Sequence, residues 1–169
     1  MELKFKHLAP YLPYDLKVRY NDKDYKVCAI DDKGRLMLET ELMHVTFMNN
    51  KYAKPTLRPL SSMTKEEAKE FSMLALLDFI GDDSTLLDLD IKTDKVSGTT
   101  ISCSFSEIMF NYIHATTTYS ICVCGDFIKI VDEETGQAIS VSYSLYEWLF
   151  EHHFDVFGLI NKGLAIEKK

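Results

Sequence analysis

The sequence has few glycines and no concentrated positive charge, and both shortages exclude kinds of binding site. Its 169 residues include 7 glycines, and neither the P-loop pattern nor G-x-G-x-x-G occurs. It has 19 basic and 26 acidic residues, and its longest basic run is Lys168-Lys169. A nucleic-acid binder normally needs a basic patch that displaces counterions from phosphates. We therefore expect no phosphate-cradling loop and no direct nucleic-acid binding.

Long apolar runs are also missing. No stretch approaches the roughly 18 apolar residues that a membrane span requires. The N-terminal "MELKFKHLAPYLPYD" is interrupted by Glu2, Lys4 and Lys6, unlike the apolar centre of a secretory signal. We therefore expect no membrane partner and a cytoplasmic protein.

The four cysteines do not follow the spacing of a structural zinc site. Cys122 and Cys124 form C-x-C on a predicted strand, so both sulfurs would project from one face, and Cys103 and His152 are the other candidate ligands. Structural zinc sites usually show two paired knuckles such as C-x2-C, whereas these ligands are scattered. Buried reduced thiols are the favoured interpretation, and no metal or other cofactor is expected.

Catalytic signatures are missing as well. Neither G-x-S-x-G nor H-E-x-x-H occurs. The adjacent His152 and His153 would point about 100° apart on a helix, so at most one of them can face a given pocket. No catalytic residue is assigned, and an enzyme built on a thiol or a metal remains an alternative.

The N-terminal part, up to about position 50, alternates polar and apolar side chains and predicts an antiparallel meander. Strands are expected at 16–20, 25–30, 35–40 and 44–48, separated by turn-rich segments such as "NDKD" and "DDKG". An SH3-like barrel is one of several folds that begin in this way. The "KPTLRPLSSM" segment, residues 54–63, holds two prolines and is predicted to be a connector.

Beyond the connector, helical and strand patterns mix. Thr64 and Glu67 form a capping box that predicts a central helix ending near Gly81. Ser104 and Glu107 resemble a second capping box, although a strand remains open for that stretch. "TTYSICVC" at 117–124 predicts a strand, and a hairpin with "DEETG" at its tip follows.

The C-terminal part begins with a third capping box, Ser144 and Glu147, which predicts a helix. In the tail that follows, Asp155 is a suitable N-cap for a short helix over 156–162, and Gly163 is placed to end it. Residues 164–166 are then expected to dock onto a sheet.

Taken together, these patterns predict an α+β fold. It consists of an N-terminal antiparallel β-meander, a central helix, a second set of β-hairpins and a C-terminal helical element. We expect one domain over 1–169, in which 1–53 forms a small β subdomain.

Three segments resemble a family of uncharacterised proteins carried on prophages and mobile elements of Bacteroides-type gut bacteria. They are "HLAPYLPYDLKV" at 7–18, "KPTLRPLSSMTKEE" at 54–67 and "LFEHHFDVFGLINKGLAI" at 149–166. The chain departs from the family pattern at Asn161, where glutamate is expected. The resemblance implies a phage or mobile-element accessory protein that acts inside a bacterial cell, and it implies no activity.

The function predicted from these observations is a non-catalytic protein-interaction or regulatory module, with an unknown protein partner or self-association. Aromatic residues are frequent at binding surfaces, and the candidates for partner binding are Tyr11, Tyr14, Tyr143 and Tyr146. The alternatives are an acidic inhibitor whose carboxylates mimic the phosphates of a nucleic acid, and the thiol- or metal-dependent enzyme.

Overall fold

The chain forms two compact units in the computed structural model. Met1–Pro59 and Leu149–Lys169 make up one, called here the terminal unit, and Leu60–Trp148 make up the other, the central unit. The structure describes residues 3–31, 33–39, 45–49, 52–76, 85–94, 98–109, 113–124 and 127–168, with positions 45, 93, 94, 98, 106–109, 113–115 and 124 described by their backbone.

The described residues contain α-helices, short 3-10 helices and two antiparallel-rich sheets, so the predicted α+β class is confirmed. The α-helices are α1 Phe5–Leu8, α2 Lys65–Leu76 and α3 Tyr143–Glu151. The strands are β1 Lys17–Tyr20, β2 Lys23–Ile30, β3 Arg35–Glu39, β4 Val45–Asn49, β5 Lys54–Leu57, β6 Thr85–Asp94, β7 Gly98–Met109, β8 Ile113–Cys124, β9 Phe127–Asp132, β10 Ala138–Ile139 and β11 Ile166–Glu167. The 3-10 helices are Ala9–Tyr14 and Leu60–Ser62.

The terminal unit contains a six-stranded sheet in the order β11-β5-β1-β2-β3-β4. Its strands β1 to β4 are the predicted meander. Val27 on β2 is buried and is the register partner of Leu38 on β3. On β3, Leu36 and Leu38 are buried, whereas Arg35 is exposed. Since side chains alternate between the two faces of a strand, this pattern places one face of the meander in the core.

The predicted connector at 54–63 instead contains a strand, β5, and a 3-10 helix. The two prolines favour a loop, but within the described residues β11 pairs with Thr56 and Leu57 and does not reach Pro55. In that part of the chain Pro55 therefore has a neighbouring strand, β1, on one side. A proline is tolerated where a strand is locally an edge, because its missing N–H costs no ladder hydrogen bond there.

The tail differs from the helix predicted over 156–162, where turns occur instead. The carboxylate of Asp155 accepts hydrogen bonds from the amides of Leu159 and Ile160, each at 2.7 Å. An N-cap side chain accepts from amides two or three positions later in the chain, whereas these partners lie four and five positions after Asp155. The side chain of Asp155 therefore closes a loop and does not cap a helix. Gly158 and Gly163 have left-handed φ angles of 63° and 68°, which interrupt helical geometry.

The tail nevertheless docks onto the sheet, as predicted. Ile166 and Glu167 of β11 pair in parallel with Thr56 and Leu57 of β5. The amide of Lys168 continues the ladder by donating to the carbonyl of Leu57 at 2.7 Å. This C-terminal segment is therefore one of the two edge strands of the described terminal sheet.

Tyr11 ties the N-terminal segment to the tail inside the terminal unit. Its buried hydroxyl donates to the carbonyl of Phe154 at 2.7 Å and accepts from the amide of Val156 at 3.4 Å. Its ring meets that of Phe150 edge-on, with centroids 5.0 Å apart. A buried hydroxyl with both partners satisfied fixes the register of the two segments.

The central unit begins with the helix that the first capping box predicted. The amide of Thr64 donates to Glu67 Oε2 at 2.9 Å, and the amide of Glu67 donates to Thr64 Oγ1 at 3.1 Å. Helix α2 is described to Leu76, and the end predicted near Gly81 lies outside the described residues.

A five-stranded antiparallel sheet in the order β10-β9-β8-β7-β6 forms the rest of the central unit. The stretch around Ser104 is strand β7, so the strand alternative holds there and the helix alternative is wrong. Ile101, Cys103 and Phe105 alternate as buried residues, and Ser104 Oγ lies 2.9 Å from Thr118 Oγ1 across the strands. Period-two burial and cross-strand pairing outweigh the local capping pattern.

Helix α3 begins at Tyr143, so Ser144, which the capping box predicts to be the N-cap, lies inside the helix instead. The part of α3 up to Trp148 belongs to the central unit. The indole Nε1 of Trp148 donates to Glu70 Oε1 at 3.0 Å, and its ring lies 5.2 Å from that of Phe71. Trp148 is therefore a core residue of this unit. None of the helices in the described part of the chain has the length and apolarity to cross a membrane.

Candidate functional site

The outer face of the terminal sheet carries a row of polar side chains across four strands. On β1, buried Val18 is flanked by Lys17 and Arg19, which therefore project from the opposite face. On β5, Thr56 lies between two buried residues in the same way. Ile166 is the register partner of Thr56, so it continues the outer face onto β11.

These strands line a groove with a volume of about 610 Å³, called here the sheet groove. That volume is within the range of about 300–1,000 Å³ typical of ligand sites. The residues that line it are Asp15, Lys17, Arg19, Asp24, Thr56, His153, Ile166, Glu167 and Lys168. All of them belong to the terminal unit.

Two ion pairs neutralise part of the groove. Arg19 donates two hydrogen bonds to the carboxylate of Asp24, at 2.8 and 3.0 Å, and Lys26 Nζ lies 2.6 Å from Asp15 Oδ1. Each cation lowers the pKa of its carboxyl partner below the usual range. Because both pairs are exposed, they add little stability, and their main effect is to fix these side chains in place.

His153 lines the sheet groove in an uncommon backbone conformation. Its φ of 57° is left-handed, and Asp15, another lining residue, has a φ of 58°. The carbonyl of His153 accepts from the amide of Arg58 at 2.8 Å, which holds this geometry. Non-glycine residues in this region are uncommon and concentrate at functional sites, although histidine and aspartate tolerate it best.

The surroundings of His153 lower the pKa of its imidazole. Burial lowers its pKa most, and the positive charges of Lys168 and Lys17 lower it further. The backbone of Tyr14 and the carboxylate of Asp15 act in the opposite direction. The groove therefore brings together an imidazole and two ammonium groups, with one nearby carboxylate already paired to Lys26.

Thr56 contributes a buried hydroxyl at the floor of the sheet groove. Its Oγ1 has no hydrogen-bond partner among the residues that the structure describes. Buried polar groups are normally satisfied, because an unmade hydrogen bond costs free energy. The neighbouring side chain of Ile166 supplies an apolar surface, so the groove combines charged, polar and aliphatic groups.

The predicted partner-binding tyrosines are divided between the two units. In the terminal unit, Tyr11 is fully buried, so its side chain is not available to a partner, and Tyr14 is half-buried beside His153. In the central unit, Tyr143 is 70% exposed at the start of α3. Tyr146 is half-buried, and its hydroxyl accepts from the amide of Ile128 at 3.2 Å.

The candidate metal ligands do not form a common site in the described chain. Cys103 lies on the buried face of β7, whereas Cys122 lies between buried Ile121 and Val123 and so projects from the other face of the sheet. His152 belongs to the terminal unit. The side chain of Cys124 lies outside the described part, and within that part no group of three histidine, cysteine or carboxylate side chains is placed to hold a metal.

The sheet groove was missed by sequence reasoning, although part of its signal was readable. Charged residues at alternate positions of "LKVRY" indicate a solvent-facing side of β1. The pairing of β11 with β5 joins Ile166 to Thr56, two positions far apart in the chain, and no local pattern indicates it. In the sequence, His153 is a candidate through its adjacency to His152, and no local pattern places it beside β1 and β11.

Comparison of the chain with protein-family models, with curated proteins and with solved structures finds no match.

Proposed function

We propose that the protein is a non-catalytic interaction module that binds a protein partner in the sheet groove. The observation that supports this most directly is the groove itself, with its charged, polar and aliphatic lining on the exposed face of a sheet. Its arginine and one of its aspartates are fixed by mutual hydrogen bonds. Fixed side chains lose less entropy on binding, so a preorganised surface binds more tightly.

The described groups favour binding over catalysis at this site. A nucleophilic mechanism needs an activated group beside a base. The thiol of Cys103 is buried, and burial raises its pKa to about 11, so it is protonated at neutral pH. In the sheet groove, the imidazole of His153 lies near Lys17 and Lys168, and the described lining includes no cysteine or serine beside it.

The acidic-mimic alternative is less well supported. A phosphate mimic needs carboxylates arranged in a row and free to meet a partner. Several described carboxylates instead hold local structure: Asp31 pairs with Arg35, Asp132 accepts amide hydrogen bonds in a turn, and Asp155 closes the tail loop. These roles account for part of the net charge of −7 without a common surface.

The resemblance to prophage and mobile-element proteins supplies the proposed setting. In that setting the module acts in the cytoplasm of a bacterial cell as an accessory protein. Its partner is a host or phage protein, or a second copy of the chain.

Site-specific photo-crosslinking in a Bacteroides-type host tests the proposal. A photoreactive p-benzoylphenylalanine replaces Ile166 inside the sheet groove, and in the matched control it replaces Tyr52, which is exposed in the same unit and does not line the groove. We expect a discrete crosslinked protein from the groove position and none from the control. A crosslinked band at twice the chain mass of 19.5 kDa would identify a second copy as the partner.

The proposal would be contradicted by a groove position that crosslinks to nothing beyond the background of the control. Circular dichroism and thermal melting of both substituted proteins show whether each is folded. A folded but silent groove variant is therefore a decisive negative result.

A further inference from the structure

Two lysines of the sheet groove are left over when its ion pairs are assigned. Arg19 is bound to Asp24, and Asp15 is bound to Lys26 from the neighbouring strand. Lys17 and Lys168 line the same groove, and within the described chain neither ammonium group has an ion-pair partner. Glu167 is the lining carboxylate outside these two pairs, so the described groove keeps two unpaired positive charges against one unpaired negative charge, in a protein whose net charge is −7.

The two lysines share a neighbour in the groove. Both act electrostatically on the imidazole of His153, which lines the groove with them. On β1, Lys17 is the register partner of Lys26, whose charge is already held by Asp15. The free positive charge is thus concentrated at Lys17 and Lys168, where an anionic group would be favoured.

The dimensions of the groove suit an extended segment of polypeptide. Six of its nine lining residues lie on β2, β1, β5 and β11, which span three inter-strand spacings of about 4.8 Å, or about 14 Å in total. Extended chain rises about 3.3 Å per residue, so roughly four residues cover this distance. The buried hydroxyl of Thr56 and the side chain of Ile166 lie along the same face, and they offer a polar and an apolar contact to such a segment.

We propose that the sheet groove binds a short acidic segment of a protein partner, with carboxylates of that segment held between Lys17 and Lys168. This inference rests on the proposed function and specifies the chemistry of the partner.

Fluorescence anisotropy with synthetic hexapeptides tests this proposal on the full-length protein. The probe is a fluorescein-labelled acidic peptide, VEVDVE, and the matched neutral probe is VQVNVQ, which has similar side-chain shapes. We expect the acidic peptide to bind at least about tenfold more tightly than the neutral one, which corresponds to about 1.4 kcal/mol. Its binding should weaken as salt is raised, because exposed charges are screened.

Paired variants locate the binding. The double variant K17A/K168A should weaken binding of the acidic peptide at least about tenfold, whereas K33A/K129A removes two exposed lysines that do not line the groove and should change it less than about twofold. Excess glutarate, a free dicarboxylate, should compete poorly if the polypeptide backbone also contributes. Complete displacement by glutarate at the same carboxylate concentration would overturn the assignment to a peptide.

Equal binding of the two peptides, or an unchanged affinity in K17A/K168A, would overturn the acidic-segment proposal. These outcomes are separable from failure of the proposed function, because crosslinking from position 166 does not depend on either lysine. If crosslinking succeeds and acidic selectivity is lost, only the chemistry of the partner is wrong. If both experiments fail, the groove is not a binding site.

Discussion

The terminal unit and the central unit both contain an antiparallel-rich sheet, but they assemble it from different parts of the chain. The central unit is one continuous segment, and its strands β6 to β9 each pair with the next in sequence. The terminal unit joins Met1–Pro59 to Leu149–Lys169, and its edge strand β11 pairs with β5 from the other segment. Pairing of strands that are far apart in the chain costs more loop-closure entropy than pairing of sequential strands, and this cost arises before the stabilising contacts form.

This difference places the candidate site in the unit that depends on two distant segments of the chain. The sheet groove needs β1, β5 and β11 together, so its lining is complete only when the tail has docked. The central unit needs no such closure. The comparison therefore predicts that damage to the tail and damage to the central sheet have different consequences.

Phe105→Ala in the central unit is expected to have the largest effect. Phe105 is fully buried on β7, with its ring 6.4 Å from that of Tyr119, so the substitution leaves a cavity in the central sheet. We expect a loss of about 4 kcal/mol in the free energy of unfolding, measured by urea denaturation. Hydrogen exchange should rise in β7 and β8. Loss of protection that begins in β5 instead would contradict the division into two units.

Truncation after Lys162 tests the other side of the comparison. It removes strand β11 with buried Ala165 and half-buried Leu164 and Ile166. Loss of these side chains and of a strand should lower the free energy of unfolding by about 3 kcal/mol. Hydrogen exchange should show lost protection in β5 and β1 while β7 and β8 stay protected, and an unchanged melting temperature would show that the tail is dispensable.

Asp155→Asn should destabilise the terminal unit by about 2 kcal/mol. Each carboxylate oxygen accepts one amide hydrogen bond, and an asparagine amide can replace only one of them, which leaves the other buried amide unpaired. Tyr11→Phe is the matched comparison, because it removes one hydroxyl from the same region, and we expect a loss of about 1 kcal/mol. Equal melting temperatures for Asp155→Asn and the unaltered protein would show that the loop needs no anchor.

The smallest expected effect is a dependence of terminal-unit stability on pH through His153. Burial lowers the pKa of this imidazole, so the unfolded chain binds a proton more readily than the folded protein. The stability contribution is present above the unfolded value of about 6.5 and is lost as the pH falls below it. His153→Asn keeps the left-handed backbone accessible and should reduce the slope of melting temperature between pH 5 and 7. An identical slope in the variant would exclude His153 as its source.

How far the sequence predicted the structure depended on whether each signal was local. The meander and helix α2 were identified correctly, because alternation in β1 to β4 and the capping box at Thr64 act over short stretches of chain. The strand at Ser104 remained ambiguous, because its capping pattern and its alternation coexist in the same residues. Strand β5 was not predicted. Pro55 fits into this strand because β11 pairs with Thr56 and Leu57 and stops short of the proline, and the local sequence does not indicate this pairing.

The candidate site was less predictable than the fold. Tyrosines were selected by residue type, and that criterion included Tyr11, whose hydroxyl is used inside the core. The sheet groove depends instead on Lys17 and Lys168. Nothing in the sequence distinguishes these two lysines from others, and they line the same groove because the tail docks onto the sheet. Residue type alone does not reveal a site built from distant strands.

The parallel pairing of β11 with β5 has a consequence for the synthesis of the protein. Thr56 leaves the ribosome long before its partner Ile166 is made. At roughly 5–20 residues per second, this edge of β5 waits on the order of 5 to 20 seconds without its strand. An open strand edge is a template for pairing with other chains. Slow or interrupted translation of the intervening message should therefore increase aggregation of the nascent chain through β5.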